Sequence, residues 1–128
     1  MADCTEIQYK GIKMVYTNVE GCTGEESIPA FHKVVQIAST YPNKSMLSLV
    51  NAKNTRFNSD LLSTLRDVVK KNNPKVKATA VCGLSTLSTL MVNSIISMTG
   101  RKMKLVKTLE EAQEWLYKFE VDSRAKSA

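Results

Sequence analysis

Residues 78–100 read ATAVCGLSTLSTLMVNSIISMTG, a stretch without a single charged side chain. Ala78–Cys82 has the composition of a strand, Gly83 breaks it, and helical spacing begins two residues later. A strand that turns through glycine into a helix is half of a βαβ unit. Ser85 is the expected N-cap of a helix running to Thr99, and Gly100 is its C-terminal stop. Eight Ser or Thr residues lie in the stretch, too many for a bilayer span.

On a helical wheel at ~100° per residue, Leu84, Leu87, Leu90, Met91, Ile95 and Met98 share one side, the expected core face. Val92 and Ile96 fall opposite, among Ser85, Ser88, Thr89 and Thr99. A solvent-facing helix usually carries Lys and Glu there. Ser88, Thr89, Val92 and Ile96 are therefore expected to form a covered surface, docked on a second copy of the chain or on a protein partner. Burial under the chain's own termini is the alternative.

The same alternation continues in both directions. Ile12–Val19 reads as a strand, with a short partner at Glu6–Tyr9 joined through Lys10-Gly11. Ile28, Phe31, Val34, Val35 and Ala38 recur at helical spacing until Tyr41-Pro42-Asn43. Pro29 belongs in a first turn, which limits where that helix begins. Met46–Val50 is a strand, and Asn58 or Ser59 caps a helix bearing Leu61, Leu62, Leu65, Val68 and Val69. Met103–Val106 is another strand. Thr108 caps a last helix, with Glu111 as capping-box partner and Leu109, Ala112, Trp115, Leu116 and Phe119 as its apolar stripe. The expectation is one α/β domain over residues 1–120, a four- to five-stranded mostly parallel sheet with four helices, and a frayed tail over 121–128.

The chain has 128 residues and a formal charge of +6, enough for one core. The acidic N-terminus lacks the basic and apolar segments of a secretory signal. Three cysteines without CxxC spacing suit a reducing, cytoplasmic setting, although Cys4 near the terminus could cross-link chains on oxidation. Residues 66–107 carry nine Lys or Arg against one Asp. Lys70, Lys71, Lys75, Lys77, Arg101, Lys102, Lys104 and Lys107 read as a solvated basic rim. No aromatic is interleaved for base stacking, so nucleic acid is disfavoured.

Chemistry-bearing sets are sparse. His32 is the single histidine, and no metal-ligand spacing or nucleotide loop occurs, so neither metal nor cofactor is expected. Gly83-Leu84-Ser85-Thr86-Leu87 is half of a nucleophile elbow, with Leu87 in place of the second glycine; capping explains Ser85 without catalysis. Two strand-to-helix corners remain as ligand sites. One is Asn54–Asp60, where Thr55, Asn58 and Ser59 form a candidate anion or phospho-acceptor corner. The other is Cys82–Thr86, where Gly83, Ser85 and Thr86 form a candidate ligand corner.

Several runs resemble the STAS domain of sulfate transporters and bacterial anti-sigma-factor antagonists. They are Lys75-Val76-Lys77-Ala78-Thr79-Ala80-Val81-Cys82-Gly83-Leu84-Ser85, then Asn93, Thr99-Gly100-Arg101, and Thr108-Leu109-Glu110-Glu111-Ala112-Gln113-Glu114-Trp115-Leu116. The chain looks most like small stand-alone STAS-like proteins related in fold to CRAL-TRIO lipid carriers. The resemblance implies helices packed mainly on one face of the sheet, and a non-catalytic module that binds a partner protein or small ligand. In antagonist-type STAS domains a serine in a D-x-S-G or D-S-S-G turn is phosphorylated to break partner binding. The matching turn here is Arg56-Phe57-Asn58-Ser59-Asp60-Leu61, with Ser59 at the acceptor position, Asn58 in place of the Asp and no glycine. The readings carried forward are a regulatory or protein-interaction module, then a small-molecule or lipid carrier, and last a small hydrolase using Ser59 or Ser85.

Overall fold

Lys10 and Gly11 both hold positive φ, 50° and 80°, the backbone a two-residue hairpin turn requires. They pair Tyr9 with Ile12 and start the sheet. The structure is a computed structural model describing residues 2–127. In chain order the elements are β1 (Asp3–Tyr9), β2 (Ile12–Asn18), α1 (Gly24–Ala38), β3 (Met46–Asn51), α2 (Ser59–Asn72), β4 (Val76–Cys82), α3 (Thr86–Thr99), β5 (Met103–Val106) and α4 (Leu109–Ser127). The sheet order is β1-β2-β3-β4-β5. β1 runs antiparallel to β2, and the remaining pairs are parallel.

Side chains alternate between the two faces of the strands, and each face meets different helices. Met14, Leu47, Leu49, Ala78, Ala80 and Cys82 pack against Ala112 and Leu116 of α4. On the other face, Val50 and Val81 meet Phe31 of α1 with Leu61 and Val68 of α2, while Val15, Met46 and Val76 meet Val34 and Ala38 of α1. Val92 and Ile95 of α3 join Val50 and Val81 around one cavity on that same side. Three helices thus share a face, and α4 covers the opposite one. β3, buried at every position, is the strand both layers need.

Local signals set most helix ends. Asn58 Oδ1 accepts from Leu61 N at 2.8 Å, so Asn58 rather than Ser59 is the cap. Ser85 caps α3 by accepting from Ser88 N at 3.1 Å, and Gly100 closes it at φ 65°. Thr108 Oγ1 accepts from Glu111 N at 3.2 Å.

Four expectations are corrected. Pro29 lies well inside α1, which begins at Gly24 behind a Thr23–Glu26 capping box. Pro29 and Glu25 are both exposed, so the helix bond that proline removes is replaced by solvent. The tail is not frayed through residue 127: α4 continues because Glu120 bonds both Arg124, one turn on, and Lys77 of β4, each at 2.7 Å. Ala128 lies outside the described residues. Cys4 is fully buried in β1, so it offers no thiol for cross-linking.

Fourth, α3 is rotated about its axis relative to the wheel: of the expected core face only Ile95 is fully buried, with Leu84 and Met91 half-buried. Ser88, Val92 and Ile95 are buried, whereas Leu87, Leu90 and Met98 are 63%, 65% and 66% exposed. Ser88 and Val92 therefore belong to no docking face, and Thr89 and Ile96 are half-buried beside them. Both sides of α3 are apolar, so hydrophobic patterning could not choose between them. The inward side carries the smaller and β-branched set, which lets a helix sit close to a sheet.

Candidate functional site

The loops that follow β3 and β4 meet at the C-terminal end of these parallel strands. Ala52 N donates to Cys82 O at 2.9 Å, and Gly83 N to Val106 O at 3.1 Å, so strand pairing runs past the strand ends. Gly83 holds φ +83°, and a Cβ there would stand 2.6 Å from the Lys53 Cα. Only glycine permits that approach. The two sequence-predicted corners are thereby brought together, with Lys53 between them; neither composition nor spacing had marked that lysine.

In the β3–α2 corner, two of the three candidate side chains are committed to structure. Thr55 Oγ1 donates to Val19 O at 2.7 Å. Asn58 caps α2 and lies against Gly24, where a Cβ would come within 2.5 Å of its Oδ1. Ser59, the first residue of α2, is exposed and its hydroxyl makes no hydrogen bond among the described residues. Lys53, Arg56 and Asp60 of the same segment are exposed as well.

The β4–α3 corner is closed by its own hydroxyls. Ser85 Oγ both caps α3 and donates to Ser88 Oγ at 3.0 Å. Thr86 is exposed at the helix start, and Leu87 follows it on the outward side. His32 is exposed on α1. No group of three or more His, Cys, Asp or Glu is assembled for a metal among the described residues.

The basic rim divides between the two layers. Lys77 pairs with Glu120 of α4, and the Lys102 ammonium lies 5.8 Å from the Phe119 ring centre. Arg101 instead turns toward α2, donating from Nη2 to Val69 O at 3.1 Å and from Nε to Asn73 Oδ1 at 3.3 Å. Burial lowers its guanidinium pKa to about 10, which leaves it cationic at neutral pH.

Under α1–α3 lies a cavity of about 70 Å³, mostly apolar, with Thr17, Ser48, Asn72, Thr79 and Arg101 among its lining residues. A carrier site for a drug-sized or acyl ligand takes roughly 300 Å³ or more. A wider polar groove of about 420 Å³ lies between β1, β2 and α4, but its charges are paired with one another: Lys13 with Glu6 and Arg124 with Glu120. Neither space suits a lipid tail. Among the described residues, no helix is long and apolar enough to cross a membrane.

No protein-family model matches the chain, and no curated protein does. Among solved structures, it is similar to an uncharacterized protein of the DUF3478 family with a SpoIIAA-like fold from Shewanella loihica PV-4. The TM-score is 0.70 at 12% identity, over 91% of this chain and 95% of the other. The fold is thus the SpoIIAA-like, STAS-type arrangement that the sequence resemblance implied.

Proposed function

We propose that this SpoIIAA-like fold works as a docking and regulatory module, presenting the joined strand-end corners to a protein partner and making or breaking no bond itself. The observation that carries the reading is Ser59. Its neighbours Thr55 and Asn58 are committed to holding the corner, while its own hydroxyl is exposed and unengaged.

A phosphate on Ser59 would sit at the positive end of α2, in a loop that also carries Lys53 and Arg56, and would leave the fold undisturbed. Its effect would fall on whatever binds the corner. The outward side of α3 extends that surface, starting from Leu87 and continuing through Leu90 and Met98. A second copy of the chain is one candidate occupant; a different protein is the other. Against a hydrolase reading stands Ser85, whose hydroxyl already serves Ser88 twice over.

Phosphopeptide mapping after incubation with ATP and a cell extract tests the switch. Label on Ser59 that disappears in Ser59→Ala supports it, and an unlabelled Ser59 removes it. Sedimentation of the purified chain with and without Leu90→Asp reads self-association through α3.

A further inference from the structure

We propose that the cavity beneath α1–α3 is a binding site for a short-chain carboxylate of two to four carbons, held by Arg101 and Thr79. This goes beyond the docking role and does not depend on it.

The floor of the cavity is polar where its walls are not. Thr79 Oγ1 and Asn72 Oδ1 are buried without a hydrogen-bond partner among the described residues, in residues only 3% and 2% exposed. Leaving a buried polar atom unpaired is destabilising, so two lining one cavity mark a place where a partner belongs. Arg101 lines the same space. Two of its donor groups are engaged by α2, through Asn73 Oδ1 and Val69 O, and no described carboxylate pairs with it. No Asp or Glu lines the cavity. A desolvated cation facing a cavity without a counter-charge favours an anion.

Topology brings these groups together. Thr79 pairs with Met103 across β4 and β5, and Thr79 N donates to Lys102 O at 2.9 Å. Arg101 therefore enters beside Thr79, while its bonds to Val69 and Asn73 hold it against the α2 end that carries Asn72. The walls above, including Val50, Leu65, Val81 and Ile95, are apolar.

Size limits the ligand. An engineered apolar cavity of about 150 Å³ accepts benzene; 70 Å³ is half of that. A carboxylate with a tail of one to three carbons suits this volume, its oxygens toward Arg101 and Thr79 and its tail among the aliphatic walls. A hydroxyl on the second carbon would give Asn72 Oδ1 a donor.

The test is a titration of the full-length chain by 1H–15N NMR with acetate, propionate and lactate, using 1-propanol as the neutral control. Saturable shifts at the Asn72, Thr79 and Arg101 amides are expected, with propionate at least ~10-fold tighter than propanol, worth ~1.4 kcal/mol. Arg101→Gln should abolish saturation. Because Arg101 also supports the end of α2, Thr79→Val provides the second variant. It removes an unpaired hydroxyl at nearly constant shape, should fold, and should weaken propionate several-fold. Shifts that never saturate, propanol binding as tightly as propionate, or unchanged affinity in Thr79→Val would each overturn the proposal.

Discussion

The backbone of Lys53 passes directly over Gly83, leaving no room for even a single carbon: a Cβ on Gly83 would stand 2.6 Å from the Lys53 Cα. This contact locks the β3–α2 loop onto the β4–α3 loop and turns two separate strand-to-helix corners into one surface.

Gly83→Ala should therefore destabilise the chain by ~2 kcal/mol or more, combining left-handed strain with the overlap. Gly100→Ala shares only the strain, since nothing lies within 4 Å of its missing Cβ, and should cost less. Urea unfolding of both variants reads the difference.

The rotated orientation of α3 predicts opposite outcomes for two neighbouring substitutions. Val92→Asp puts a carboxylate into the interior and should cost ~3–5 kcal/mol or abolish folding. Leu90→Asp, on the solvent side, should change monomer stability by less than ~1 kcal/mol. Equal effects in denaturant melts would refute the orientation.

Glu120 ties the end of α4 to β4. Burial acts to raise its carboxyl pKa, and the bonds from Lys77 and Arg124 outweigh burial and hold the pKa below the usual glutamate value. A carboxyl depressed in the folded state adds stability above its unfolded pKa, near ~4.3, and loses it as pH falls through the lower folded value. Glu120→Gln should reduce stability by ~1 kcal/mol at pH 7 and flatten the acid limb of the pH–stability curve. An unchanged acid limb would show that the bridge does not contribute.

Cys4, Cys22 and Cys82 are all free and buried, and burial pushes the Cys4 and Cys82 thiols above their ordinary pKa. The native chain should react with a thiol reagent far more slowly than the unfolded chain, and mild oxidation should yield no disulfide-linked dimer. Rapid labelling of Cys4 in native buffer would contradict its placement in β1.

Much of the candidate site was legible residue by residue. Ser85 and Thr108 act as their local sequence predicts, because an N-cap is made by a side chain within three residues of the amide it serves, and Gly100 stops α3 because its own backbone takes the left-handed conformation. The exposure of Ser59 was not legible in this way, since it depends on Asn58 taking the cap. The cavity was not legible either. Thr17, Ser48 and Thr79 are hydroxyl residues in strands, a weak sign of something polar inside, but Arg101 and Asn72 share that space only because Arg101, ahead of β5, bonds the end of α2 at Val69 and Asn73.

By itself the sequence determined the order of strands and helices, the caps that bound them and the parallel character of the sheet, because each depends on spacing and on bonds formed within a few residues. Tertiary structure decided which side of α3 turns inward and how far α4 extends past residue 120. It also placed Arg101, which has no carboxylate partner among the described residues, beside two polar atoms without a hydrogen bond. Those outcomes depend on which surfaces pack together, and a helix apolar on both sides carries no internal instruction about which one the sheet will take.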